Sequence, residues 1–282
     1  MDSNIAKPEI QELPSAQGAG RPLAPLNESE VKKRQAIKDE IYRACIENKW
    51  TKVQQLYTKN KFVHESLLTR SEDTALHIAI SYYNPDRDDS LHHPHLNCIK
   101  EMVATIPMEN RLGILKQKNE EGNTPLHLAA ELGIVSIIEC LVNPEDPSLI
   151  RETNSKGETP LFIAAYQDKL KVFLYLQKYV QDEKEEGPIE LCRKNDGVST
   201  LHAAISGEYF ELAFHIIHYY PSLVNHNNEE GMSPLHFLSR MPQVFKCRSY
   251  IPLMDSIIYY CINIKEIELM EYEAVKENGE DK

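Results

Sequence analysis

The sequence predicts an all-α fold, a solenoid of about six helix–turn–helix repeats with short β-turns, and three observations predict it. One phrase recurs along the chain. Its fullest copy is Gly122-Asn123-Thr124-Pro125-Leu126-His127-Leu128-Ala129-Ala130, with weaker copies at 157–165, 197–204 and 231–236, a degenerate one at 73–79, and only an apolar skeleton at 41–45. The aligned apolar residues are Ile41, Leu76, Leu126, Leu161, Leu201 and Leu235, at successive spacings of 35, 50, 35, 40 and 34 residues, a period at which stacked supersecondary units repeat. After each full phrase comes an apolar run at helical spacing, as in Ile134–Val142, which fits a second helix packed on its neighbours.

The elements follow in order. Residues 1–28 carry Pro8, Pro14, Pro22, Pro25, Gly18 and Gly20 without apolar period and read as a disordered arm. From about Glu28 a helical stripe of Ile37, Ile41, Ala44 and Cys45 opens a capping repeat that lacks the turn. The repeats span about 29–68, 69–117, 118–152, 153–192, 193–226 and 227–262, and a charged tail fills 263–282. Within the phrase, Thr124 suits an N-cap and Pro125 the first helical position, where a missing N–H costs nothing. His127 stands third and can reach back to the turn as the acid of a capping box does, while Gly133 suits a left-handed end to the helix. Second helices are expected near 51–57, 97–106, 134–142, 169–180 and 208–219, and a last one over 250–264. Two insertions break the period: a loop over 82–95 and an acidic one around 182–188.

The repeated phrase resembles the ankyrin repeat, a β-turn followed by two helices. A narrower resemblance rests on Ser206–Ile217, Tyr220–Asn225 and Asn228–His236. These are similar to the N-terminal repeats of plant ankyrin-repeat membrane proteins of the PGG-domain family, the accelerated-cell-death and increased-salt-tolerance type. That resemblance covers about residues 37–262. It implies a cytosolic module of plant stress, defence or hormone signalling, which in the family is followed by further repeats, a PGG segment and membrane-spanning helices. A charged tail stands in their place here. Ile257–Ile264 is an apolar stretch too rich for one helix face, so it is expected to leave a patch that self-associates or meets a membrane-anchored relative.

Composition narrows the function classes. The formal net charge of −12, with no basic stripe interleaved with aromatics, argues against nucleic acid as partner. The six cysteines, at 45, 98, 140, 192, 247 and 261, form no CxxC pair and read as reduced intracellular thiols. The start of the chain shows neither an apolar signal core nor a glycine to myristoylate, and no run approaches the ~20 apolar residues that span a bilayer; the expected location is cytoplasmic, or the cytosolic face of the plasma membrane through a partner. No phosphate loop, nucleophile elbow, HExxH or kinase motif is present, so neither an enzyme nor a cofactor is expected. His92-His93-Pro94-His95 with Cys98 is dense enough to suggest zinc, which takes imidazole and thiolate in tetrahedral sets. No second pair completes a known spacing, and no metal site is assigned. His77, His127, His202 and His236 each sit in their own turn and read as structural hydrogen-bonding groups, with Phe162 filling the same place.

Function must then come from surface, a concave face that binds protein. The candidate partner-binding residues are, at the turn tips, Glu120, Glu121, Asn123, Lys156, Glu158, Asn195, Asp196, Glu229 and Glu230. Just after the alanine pair on the inner helices they are Glu131, Leu132, Tyr166, Gln167 and Ile205. Tyr166 is the expected anchor, and the acidic tips point to a partner with a basic surface and an apolar centre. The alternative is the cytosolic part of a membrane-associated or transport-related regulator.

Overall fold

The computed structural model describes residues 27–84, 94–181 and 188–241. The expected arm, the histidines His92 and His93, the acidic insertion, the helix over 250–264 and the charged tail lie outside the described residues. By contacts the chain divides between Ala36 and Ile37. In the N-terminal unit the described residues are helical from Glu28, with Arg34 paired to Glu30 at 3.7 Å one turn away. In the second unit, α1 (Glu28–Ile46) continues through the stripe read from sequence, burying Ile41, Ala44 and Cys45. The chain then runs α2 (Trp50–Lys59), α3 (Ala75–Ser81), α4 (Pro94–Thr105), α5 (Met108–Leu115), α6 (Pro125–Leu132), α7 (Val135–Leu141), α8 (Pro160–Tyr166), α9 (Leu170–Gln181), α10 (Pro188–Leu191), α11 (Thr200–Ser206), α12 (Phe210–Tyr219) and α13 (Pro234–Ser239).

Two helical layers result. The first helices of successive repeats stack as α3, α6, α8, α11 and α13, and the second helices α2, α4, α7 and α9 stack behind them. Small residues make the approach close: Ala79, Ala129, Ala130, Ala164, Ala165 and Ala204 are all buried between layers. The motif leucines Leu76, Leu126, Leu161 and Leu201 are buried with them, whereas Leu235 of α13 is 68% exposed. Phe214 is likewise 39% exposed where its counterpart Leu174, one repeat earlier, is 4% exposed.

The helix starts show why the phrase repeats. At α6 the Thr124 amide donates to His127 Nδ1 (3.1 Å), with the Thr124 hydroxyl 2.8 Å from the same nitrogen. Since Nδ1 accepts, Nε2 must carry the proton, and it donates to the carbonyl of Glu158 in the next repeat at 3.0 Å. His77 and His202 do the same with Thr74 and Ser199, reaching the carbonyls of Asn123 (2.9 Å) and Met232 (3.0 Å). Each imidazole is thus a cap and a rivet between repeats. Phe162 cannot donate, and at that junction the Thr159 hydroxyl bonds the Leu191 carbonyl instead, at 2.6 Å. Gly133 ends α6 at φ 81°, in the left-handed region as expected.

Three expectations need correction. The loop placed over 82–95 is too long at its far end, because α4 already begins at Pro94, which suits a first helical turn. His95 is therefore a core residue: its ring stacks on Trp50 with centroids 3.4 Å apart, and Nε2 lies 2.7 Å from the Ala79 carbonyl. Cys98 is buried beside it on α4, and burial pushes its thiol, like that of Cys45, up to about 12. The extra residues of this repeat are also split. α3 and α4 begin at Ala75 and Pro94, whereas the later pairs begin ten residues apart, at Pro125 and Val135, Pro160 and Leu170, Thr200 and Phe210. The remaining excess lies in α5, which takes the place of the shorter helical turns that follow the second helix elsewhere (Lys61–Val63, Pro147–Arg151, Pro188–Leu191 and Pro221–Asn225) and was not read from the sequence.

Candidate functional site: a groove between fingers and inner helices

The β-turns preceding the inner helices project as fingers, and their order is built from backbone and asparagine. At each junction the amide six residues before the motif leucine donates to the carbonyl five residues before the previous one: Glu120 to Ser71 (2.9 Å), Ser155 to Glu121 (3.0 Å), Asn195 to Lys156 (3.2 Å) and Glu229 to Asp196 (3.0 Å). Gly122, at φ +77°, turns the finger, and a Cβ there would stand 2.5 Å from the Ser155 amide nitrogen. Only glycine permits both the left-handed backbone and this approach.

Each finger is braced from below. Asn119 Oδ1 accepts from the amides of Glu121 (3.2 Å) and Asn123 (3.0 Å), and Asn154 Oδ1 accepts from Lys156 (3.0 Å) and Glu158 (2.9 Å). Asn228 holds the Met232 amide in the same way at 2.9 Å. Where the series has Lys194 instead, Asp196 accepts from the Val198 amide (3.0 Å) and pairs with Lys194 at 2.9 Å. Burial works to raise the Asp196 pKa, but Lys194 and the Val198 amide together bring it below the usual carboxylate range. These asparagines escaped the sequence reading, although Asn119, Asn154 and Asn228 recur seven residues before the motif leucine.

Between the fingers and the inner helices of the third to fifth repeats lies an open groove enclosing about 400 Å³. Seven expected partner-binding residues line it: Glu121, Asn123, Glu131, Lys156, Glu158, Tyr166 and Gln167. Asn154, Phe162, Ile163, Lys194, Val198, Ala203 and Ser206 complete it; of these only Val198, at a turn tip, and Ser206, after the alanine pair, stand at positions the sequence marks as freely varying surface. Glu120, Leu132, Asn195, Asp196, Glu229 and Glu230 lie outside its lining; all are exposed except Leu132, which is half-buried against the core.

Two of the expected residues present little side chain to a partner. Asn123 is 6% exposed, its amide bonded to Glu121 and its carbonyl oxygen to Asn154, both at 3.0 Å. Ile205 is 7% exposed and packs into the core. The alanine pair in α11 is Ala203-Ala204, one residue earlier relative to Leu201 than Ala129-Ala130 is to Leu126. Counting from the pair therefore rotates the choice by about 100° on the helix. Ser206, five residues after the motif leucine, is the true counterpart of Glu131 and Tyr166.

Tyr166 dominates the groove, 58% exposed on a helix whose other residues are buried. Neither Tyr166, Glu131 nor Lys156 makes a side-chain hydrogen bond or ion pair among the described residues. No group of three or more His, Cys, Asp or Glu residues suited to a metal ion occurs among the described residues. No described helix is long and apolar enough to cross a membrane.

Comparisons with known proteins agree with this geometry. A family model described as "Ankyrin repeats" matches residues 41–147 and 90–186, together more than half of the chain. Among solved structures, the ankyrin repeat domain of Bcl-3, a member of the IkappaB protein family, superimposes with a TM-score of 0.53 at 19% identity, over 70% of this chain and 76% of that one. At that identity the likeness is one of fold. No curated protein matches the chain.

Proposed function

Because the chain belongs to the ankyrin-repeat family, whose members serve protein–protein interaction, we propose that it is a non-enzymatic adaptor that binds a protein partner in the groove of the third to fifth repeats. The observation that carries this is Tyr166, which stands exposed in the groove with no side-chain hydrogen bond among the described residues. A rigid aromatic ring on a rigid helix loses little entropy on binding and makes a good anchor. The tips add the acidic residues Glu120, Glu121, Glu229 and Glu230 to a chain of net charge −12; such a field favours a partner with a basic surface and speeds its approach. The finer setting, plant stress or defence signalling at the cytosolic face of the plasma membrane beside a full-length relative, is supported by the resemblance at 206–217 and 220–225. Affinity capture from plant extract with wild-type protein and with Tyr166→Ala, both scored by mass spectrometry, tests the reading. Partners retained by wild type and lost by the variant support it; an identical set on both would overturn it.

A further inference from the structure

Resting on the reading that the groove binds protein, the geometry points to an arginine of the partner as the side chain the groove receives, with a partner carboxylate beside it. We infer this from the register of the groove's free groups. Glu131 on α6 and Tyr166 on α8 stand five residues after their motif leucines, so they occupy equivalent places on helices that pack directly against each other. Packed helices lie about 8–10 Å apart, a gap that leaves room for one guanidinium between a carboxylate on one helix and an aromatic ring on the next. Both line the groove, both are exposed and neither has a side-chain partner among the described residues. Arginine alone satisfies both at once: its planar fork takes a carboxylate bidentately and its face stacks on an aromatic ring. Lysine, a compact and strongly hydrated point charge, does neither as well.

The finger side of the groove carries both signs, but its carboxylates Glu121 and Glu158 already accept from the amides of Asn123 (3.0 Å) and Asn154 (2.8 Å). Five residues before their motif leucines stand Glu121, Lys156 and Asp196. Lys156 has no ion pair among the described residues, whereas Lys194 is already paired with Asp196 at 2.9 Å. A segment lying along the groove with its arginine toward the inner helices therefore needs a carboxylate facing Lys156. The floor between the two, Phe162, Ile163 and Ala203, is apolar and accepts the methylene stem of the arginine. The recognised chemistry is thus a zwitterionic segment, arginine on the helix side and Asp or Glu on the finger side.

The test uses the full chain and a random linear peptide library displayed on phage, with selected peptides synthesised and their affinities measured by fluorescence anisotropy. Enrichment of peptides bearing arginine with a nearby acid is expected. Replacing that arginine by lysine weakens binding about tenfold, as do Tyr166→Ala and Glu131→Gln, while Tyr166→Phe stays within about threefold because the ring face remains. Lys156→Glu weakens binding, and placing lysine at the peptide's acidic position restores it. Selected peptides that lack arginine, or that tolerate its change to lysine, overturn the assignment. If those peptides still respond to Lys156→Glu and Tyr166→Ala, the groove remains the binding site. If they ignore every groove substitution, both readings fall.

Discussion

Replacing His127 by Phe, the residue that nature places at the equivalent Phe162, should remove a defined part of the acid sensitivity of this protein. In the folded chain His127 is fully buried, and burial holds its pKa down at about 4 against an ordinary value of 6.5; Lys118 adds to the depression, while the bond to the Glu158 carbonyl and the charge of Glu152 oppose it. The geometry works in the same direction, because protonation of Nδ1 would set a donor against the Thr124 amide that donates to it. The folded state therefore keeps the imidazole neutral, whereas the unfolded chain takes up a proton as pH falls below 6.5. The stabilisation is complete above that value and is lost progressively toward pH 4. By linkage the loss from this one residue is about 2 kcal/mol at pH 5, approaching a limit of about 3.4 kcal/mol below pH 4. At pH 7.5 the Phe variant should be less stable than wild type by about 1–3 kcal/mol, since the part-buried Glu158 carbonyl loses its donor. Between pH 7.5 and pH 5, however, wild type should lose about 2 kcal/mol more than the variant. Urea unfolding of both proteins at the two pH values measures this, and carboxylate titration common to both cancels in the difference. Equal losses would refute the argument that the imidazole is held neutral by the repeat junction.

Other outcomes follow from the same contacts. Leu126→Asp places an unpaired charge at a fully buried repeat junction and should cost more than about 4 kcal/mol; an unchanged melting temperature would break the repeat alignment. Gly122→Ala forces a Cβ into the left-handed region and against the Ser155 amide, with an expected cost of about 1–3 kcal/mol and faster hydrogen exchange at Ser155. Reversing Glu120, Glu121 and Glu229 to Lys should slow association with a captured partner and flatten its salt dependence. An unchanged association rate would remove charge steering from the account.

How much of this was legible in the sequence depends on whether the cause is local. The caps at Thr124 and Thr159, the proline starts and the Gly133 stop are set by neighbours within one turn, so the recurring phrase carried them directly. Helix pairing followed from the apolar runs, because each repeat packs on the next in the same register. α5 and the early start of α4 were not legible: the break in the period gives the number of extra residues, not where the second helix begins. His95 looked like part of a histidine-rich loop until its stack on Trp50, 45 residues away in sequence, placed it in the core. At the groove, Glu131 and Tyr166 line it together because they share one register, whereas Ile205 falls in the core through a one-residue slip in the alanine pair. The finger asparagines repeat visibly, but their purpose shows only when their bonds to the following amides are seen.

The central claim is that the groove around Tyr166 is where a protein partner binds. Isothermal titration of a partner captured by wild-type protein, against wild type and Tyr166→Ala, tests it most directly. Tyr166 is exposed and its side chain makes no hydrogen bond among the described residues, so the variant should melt within about 1 °C of wild type while binding at least about tenfold more weakly, as loss of an aromatic anchor requires. Unchanged affinity in a variant that melts like wild type would place the interaction elsewhere on the chain and contradict the account.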